Sequence, residues 1–450
     1  SRTEGTSRMV STWATGNYTW NDIYLADFSV RFDGSSDFGS KQRWAPFFSG
    51  GLGVNIHNYE FLKGNEIVNK LKVRASYGRT GKASFPSYAA TTMYEALFDE
   101  WYATGFGAVL KALGNNNLSW EKTDKFNVGI EMQFLNRRLT VDADYYHDKT
   151  IDLVNDVSLS QTSGFSSYKD NMGEVLNQGF ELQVRGEVFR NRDWLVALWG
   201  NMAHNKNKIV KISDSQRAYN LRVEQFYQNS ANEEYGRYNA QYAVPISQYE
   251  EGQSLTSIWA VKSLGIDPTT GKEIFLNRDG SVSDTWNATQ EVVVGNTEPK
   301  FNGSVGFNLA YKAWSLFAAF QYEWGGQEYN QTLVDRVENA RIQYQNVDLR
   351  VLTDRWKQPG DIAQFKDIKN ADNVTMPTSR FVQDKAYLRL SALTLSYDFN
   401  REWIKKYLGM NMLRLEASTR DFINWNSIRQ ERGLSYPKSW TVDFSIKAQF

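Results

Sequence analysis

An all-β fold, a transmembrane antiparallel β-barrel, is what these 450 residues predict, on three observations. Apolar and polar residues alternate with period two over segments of about ten residues, the signature of strands with one face in lipid and one in water. The connections between segments alternate between short and long. Aromatics make up 14% of the chain, with 15 Trp and 24 Tyr, residues whose apolar body and polar tip suit the two interfaces of a bilayer. The longest purely apolar stretches are about five residues, such as Leu316 to Phe320, against about 20 for a spanning helix. A closed barrel is the other way to satisfy every backbone polar group in lipid.

The strands follow in order. Tyr24, Ala26, Phe28, Val30 and Phe32 alternate with Leu25, Asp27, Ser29, Arg31 and Asp33. Leu71, Val73, Ala75 and Tyr77 alternate with Lys72, Arg74 and Ser76. Phe126, Val128, Ile130, Met132 and Phe134 alternate with Asn127, Gly129, Glu131 and Gln133. After a tight turn at Asn136–Arg138 come Leu139, Val141, Ala143 and Tyr145, and later Phe180, Leu182, Val184 and Val188. The last strand sets Trp440, Val442, Phe444, Ile446, Ala448 and Phe450 against Thr441, Asp443, Ser445, Lys447 and Gln449. A single such strand also fits a soluble sheet with one wet face; the connections decide.

Short connections fall near 17–20, 135–138, 189–193 and 311–313, with somewhat longer ones near 57–69 and 399–409. Long polar ones fall near 33–41, 83–120, 148–172, 208–300, 326–383 and 421–438. Short turns at the periplasmic side and long loops outside are what a bacterial barrel requires. We therefore expect one barrel domain over 1–450, incomplete, with large extracellular loops near 83–120, 208–300 and 326–383. About 13 strands is an odd number, and a single-chain barrel needs an even one, so further strands are expected before Ser1. Phe450, an aromatic closing an amphipathic strand, resembles the signal that hands outer-membrane barrels to their assembly machinery.

Enzymatic and nucleic-acid chemistry find little support. Lys+Arg and Asp+Glu are both 51, so there is no basic field for nucleic acid. Cysteine is absent, which removes disulfides, zinc–thiolate sites and cysteine nucleophiles. The three histidines, His57, His147 and His204, are far apart in sequence. No His-Glu-x-x-His, P-loop or Gly-x-Ser-x-Gly sequence is present. Gly50-Gly51-Leu52-Gly53 lies inside a predicted strand and has no strand–turn–helix context for a dinucleotide loop. Carboxylates are plentiful, but in this layout they alternate along strands as interior-facing groups. No catalytic or metal-ligating residue is nominated. The turn-rich stretch Gly265–Lys272 and Asn277–Gly280 flanks a short strand, Glu273 to Leu276, and reads as a hairpin within a loop. Its spacing departs from an EF-hand, and no cofactor is expected beyond a calcium ion that such a loop could take. Trp101, Tyr102, Phe226, Tyr227, Tyr235, Tyr238 and Trp259 place aromatics in the long loops, where they either clamp cargo or pack the loops together.

Short stretches along the chain also resemble one family. They include Ser29-Val30-Arg31-Phe32-Asp33-Gly34-Ser35-Ser36-Asp37-Phe38-Gly39, Leu71-Lys72-Val73-Arg74-Ala75-Ser76-Tyr77-Gly78-Arg79-Thr80-Gly81, Leu118-Ser119-Trp120-Glu121-Lys122-Thr123, Asn177-Gln178-Gly179-Phe180-Glu181, Pro299-Lys300-Phe301-Asn302-Gly303 and Arg355-Trp356-Lys357-Gln358-Pro359-Gly360-Asp361. In this order they resemble the SusC/RagA-like TonB-dependent transporters of Bacteroidetes outer membranes. The resemblance implies a 22-stranded barrel whose plug and TonB box lie outside this chain. It also implies import energised through the TonB complex, a SusD-like surface lipoprotein as partner, and glycan or peptide cargo. No cargo-binding residue carries over, because the family's contacts come partly from the plug and from variable loops. Two other classes stay open on the residues alone: a secreted β-rich carbohydrate-active enzyme, and a structural or adhesion barrel without transport.

Overall fold

The computed structural model describes residues 7–38, 43–82, 90–103, 105–115, 117–158, 167–171, 173–229, 249–344, 347–370, 374–399, 401–428 and 440–450. Thirteen long strands hydrogen-bond in the order in which they follow along the chain, as the alternation predicts. They are β1 (Met9–Trp20), β2 (Tyr24–Ser35), β3 (Trp44–Asn55), β4 (Val68–Lys82), β7 (Glu121–Phe134), β8 (Leu139–Ile151), β11 (Glu174–Arg190), β12 (Trp194–Lys211), β17 (Phe301–Tyr311), β18 (Trp314–Tyr329), β19 (Val382–Asp398), β20 (Met412–Thr419) and β22 (Val442–Gln449). A short β21 (Asn424–Asn426) flanks β19. The long connections carry separate small sheets: β5 (Met93–Tyr102) with β6 (Gly105–Ala112), β9 (Val154–Ser158) with β10 (Ser167–Asn171), and the four strands β13 (Ser257–Ile266), β14 (Glu273–Leu276), β15 (Val282–Ser283) and β16 (Glu291–Asn296). By contacts the chain forms two compact units, 1–132 with 143–180 and 206–255, and 133–142 with 181–205 and 256–450.

In the first unit the apolar register is as read. Trp20, Tyr24, Val54 and Val73 stand in one cross-strand row, and Tyr18, Ala26, Leu52 and Ala75 in the next. The row beyond the second is polar: Asn17, Asp27, Gly51 and Ser76. The first short turn lies three residues beyond its predicted place, at Trp20–Ile23. Asn17 sits within β1 opposite Asp27, and the chain reverses at Asn21 (φ 52°) and Asp22 (φ 56°), closed by a hydrogen bond from Ile23 N to Trp20 O at 3.0 Å. Two consecutive left-handed residues match the strand twist in a two-residue hairpin, and Asn and Asp tolerate that conformation best after Gly. Glu131 accepts from Lys70 at 2.6 Å and faces Lys72 and Arg74, while Arg74 also meets Asp144 at 2.6 Å. The carboxylates of this polar face are thus neutralised across strands. A helix over Asp214–Asn229, absent from the sequence reading, starts at Ser213, whose hydroxyl accepts from Gln216 N at 3.0 Å. Ser213-Asp214-Ser215-Gln216 is a capping-box sequence, which marks this helix start locally.

In the second unit, one apolar row runs Val196, Leu309, Leu316, Leu395, Ala417 and Phe444 across six strands. The adjoining row toward the short turns is Trp194, Tyr311, Trp314, Tyr397, Leu415 and Ile446. Four of those six are Trp or Tyr, the composition of an interfacial girdle. Between these two rows lie Leu195, Ala310, Ser315, Ser396, Glu416 and Ser445, and the next polar row holds Arg414, paired with Asp398 at 2.6 Å. Two bulges in the β18–β19 ladder shift register between Ala319 and Phe320 and between Trp324 and Gly326. Phe450 follows the last strand and is exposed.

Candidate functional site

The connections after β12 and after β18 fold against each other at the end of the strands opposite the short turns. Their sheet runs β15-β14-β13-β16, and the hairpin that was expected around Glu273 to Leu276 is present as β14 and β15. The turn into β14 needs its glycine. Gly271 has φ +69°, and a Cβ there would lie 2.6 Å from the Trp356 ring, which is held by its own Nε1 donating to Pro268 O at 2.8 Å. Segment 330–381 supplies the apolar core beneath: Leu333, Val334, Val337, Ala340, Val351, Phe365 and Phe381, the last with no exposed surface. Leu333, Val334 and Val337 share a helical face, so one helical turn with its π-helical continuation over Val334–Glu338 presents a single apolar side to the core.

At the edge of this core sits a buried ion cluster. Arg380 donates from Nε and Nη2 to Glu273 at 3.2 and 2.9 Å, from Nη1 and Nη2 to Glu338 at 3.2 and 2.6 Å, and from Nη1 to Gln364 O at 2.6 Å. A guanidinium has five N–H groups, and all five find acceptors here. Glu338 is fully buried and Glu273 is 9% exposed. The guanidinium also covers the Phe381 ring, 4.4 Å from its centroid. Burial disfavours the charge on Arg380, but the hydrogen bonds to Glu273 and Glu338 outweigh it and hold the proton more firmly than in water. Arg355, also buried, caps the carbonyl end of the 334–338 helix through Val337 O and Glu338 O and bonds Lys366 O at 2.9 Å. Lys366 bonds Asn339 Oδ1 at 3.3 Å and Thr375 Oγ1 at 3.0 Å, and burial pushes its ammonium below the usual lysine range.

Above the cluster opens a cavity of about 320 Å³, lined by Lys272, Glu273, Trp286, Lys366, Thr375 and Met376 among others. Trp286 is fixed by its Nε1 donating to Pro377 O at 3.0 Å. Glu291, at the start of β16, is 6% exposed, and burial pushes its carboxyl up to about 7, with Arg278 pulling the other way. The arrangement provides fixed hydrogen-bonding groups and an aromatic wall, suited to holding a polar molecule. Among the described residues that line the cavity there is no nucleophile–base pair.

Of the aromatics singled out in the loops, Trp259 is half-buried in β13 and Phe226 is buried on the helix Asp214–Asn229. Both serve packing. The side chains of Trp101, Tyr102 and Tyr227, and residues Tyr235 and Tyr238, lie outside the described residues. The histidines stay apart: His57 Nδ1 lies 3.2 Å from Leu71 O, and His204 Nδ1 lies 2.6 Å from Lys300 O. Among the described residues no group of three or more His, Asp or Glu is arranged to hold a metal ion. Asp267 accepts from Thr269 N at 2.9 Å and Thr270 Oγ1 at 2.7 Å, and Asp279 accepts from Ser281 N and Oγ, so both carboxylates brace their own turns. Sequence reasoning missed Arg380, Glu338, Arg355 and Lys366, which lay in what read as loop.

Residues 1–418 match the family model described as TonB dependent receptor-like, beta-barrel. The chain belongs to that family. This receptor barrel is 26% identical to TonB-dependent receptor P39 of Formosa agariphila, the match covering 99% of this chain and 46% of that protein. It is also 26% identical to TonB-dependent receptor SusC of Bacteroides thetaiotaomicron, covering 98% of this chain and 44% of that one. It therefore spans less than half the length of these relatives. The RagAB peptide importer in its "closed-closed" state superposes with a TM-score of 0.80 at 23% identity, over 98% of this chain and 48% of that one, which establishes the fold. The relatives are named as receptors and transporters, not as enzymes.

Proposed function

We propose that the chain is the barrel portion of an outer-membrane, TonB-dependent importer of the SusC/RagA type, taking up oligosaccharides or oligopeptides together with a SusD-like surface lipoprotein. One observation carries the reading. Apolar rows bounded by a Trp/Tyr girdle alternate with charge-paired rows on the same strands, and a folded, cavity-bearing loop body stands at the end away from the short turns. An apolar outer face, a hydrophilic interior and large outer loops are what passage of polar cargo through a barrel requires. The relatives' names support import of this kind, and the likeness to the RagAB peptide importer supports peptide beside glycan as cargo. Energy coupling to the TonB complex belongs to the full-length protein. Phe450 is assigned the role of barrel-assembly signal.

The test uses the full-length protein in its host. Affinity purification from detergent-solubilised outer membrane should recover a surface lipoprotein, and deletion should abolish growth on one class of oligosaccharide or oligopeptide. A water-soluble monomer in plain buffer would defeat the proposal. A membrane barrel with neither partner nor growth phenotype would favour a structural or adhesion role.

A further inference from the structure

The connection between β19 and β20 contains the helix Arg401–Leu408, closed by Gly409 in the left-handed conformation at φ +67°. Ile404 is its buried residue, 1% exposed. Trp403, Tyr407 and Leu408 are 47%, 63% and 44% exposed and form an apolar surface. Spacing puts Trp403 with Tyr407 and Ile404 with Leu408 on one stripe, while Glu402, Lys405 and Lys406 fall on the other.

The exposed rings continue the girdle. Tyr397 belongs to the row Trp194, Tyr311, Trp314, Tyr397. Its ring lies 4.8 Å from Trp314 and 5.0 Å edge-on from Phe399; Phe399 stacks on Trp403 at 6.1 Å, and Trp403 lies 5.8 Å from Tyr407. An unbroken ladder of rings thus runs from the apolar outer face of the strands onto the helix. Lys405 and Lys406 are exposed beside it, with Lys406 Nζ 5.3 Å from the Tyr407 ring centroid. Trp and Tyr settle at headgroup depth, and lysines flanking them extend to lipid phosphates.

We propose that this helix is a lipid-headgroup site: it lies in the interface of the periplasmic leaflet and selects anionic phospholipid through Lys405 and Lys406. The inference rests on the membrane-barrel reading above, with the short connections at the periplasmic side. Continuity with the apolar face fixes the depth of the helix, and the two ammonium groups fix the sign of the lipid charge.

The test uses the full-length receptor in nanodiscs of phosphatidylcholine with or without phosphatidylglycerol. The 450 residues contain no cysteine, so with any cysteine in the rest of the receptor replaced by Ser, Leu408→Cys can carry a fluorophore, with Phe444→Cys as a control in the apolar row. Both labels should be quenched by lipid-borne quencher and shielded from aqueous iodide. The Leu408→Cys label should favour quencher-bearing phosphatidylglycerol over phosphatidylcholine, and Lys405→Gln and Lys406→Gln should each cut that preference about five-fold, the equivalent of about 1 kcal/mol per lysine near a charged bilayer. The Phe444→Cys label should show no headgroup preference. Iodide quenching at Leu408→Cys with lipid quenching at Phe444→Cys would overturn the helix proposal alone, as would an unchanged preference in the double glutamine variant. Loss of lipid quenching at both positions would overturn the membrane reading as well.

Discussion

Replacing Arg380 by Met removes one charge and leaves two carboxylates facing each other in a nearly dry site. Glu338 has no exposed surface and Glu273 9%, and each accepts two of the five hydrogen bonds from the guanidinium. Each hydrogen bond to a charged group is worth about 1.5–3 kcal/mol, but these bonds share one arginine and are not additive. The better guide is the cost of breaking a buried ion pair by removing one partner, about 3–5 kcal/mol. At about 4 kcal/mol, the opening equilibrium of the loop body rises by roughly three orders of magnitude. Hydrogen exchange on the detergent-solubilised receptor should show that loss of protection in 257–296 and 330–381 and leave β1–β4 unchanged, since local openings are confined to cooperative units. Arg380→Lys, with a charge but no planar fork, should fall between. Wild-type protection in Arg380→Met at pH 8 would show that the cluster does not hold this body together.

Three further outcomes are expected. Phe307→Arg, in mid-strand on the row that joins Leu198 and Ala318, should cost about 2–4 kcal/mol in a folding titration in lipid, against little for Gln183→Arg; equal damage would mean the faces are assigned the wrong way round. Glu291→Gln should stabilise the β13–β16 sheet above neutral pH. A carboxyl raised to about 7 favours folding fully only below its unfolded pKa and loses that benefit as pH rises through 7, so the substitution gains up to about 3 kcal/mol at pH 8 and close to nothing at pH 4, read by exchange in 291–296. Deleting Phe450 should lower the yield of heat-modifiable barrel in outer-membrane fractions several-fold without altering transcript; an unchanged yield would remove its assembly role.

Much of this protein was legible because the deciding signals are local. Side-chain alternation along one strand reports its two environments whatever its neighbours are, which is why the rows through Tyr24, Val73, Leu309 and Phe444 stand where the pattern puts them. The turn at Asn21–Asp22 lies three residues further on because Asn17 and Thr19 are ordinary residues for a polar strand face and also common in turns. The β18–β19 bulges left no local mark, since a bulge is a property of two strands together.

The loop body lies beyond such reading. Arg380 meets Glu338 across 42 positions and Glu273 across 107, and nothing in the residues near any of the three announces the other two. The helix at Arg401–Leu408 shows its amphipathic spacing in the sequence, but that its rings prolong the girdle of Trp314 and Tyr397 is a fact of geometry. By itself the sequence determined the strands, their faces and the family. Tertiary structure alone decided which distant charges share one dry site, because the energy of a buried charge depends on what the fold brings within about 3 Å of it and not on its neighbours along the chain.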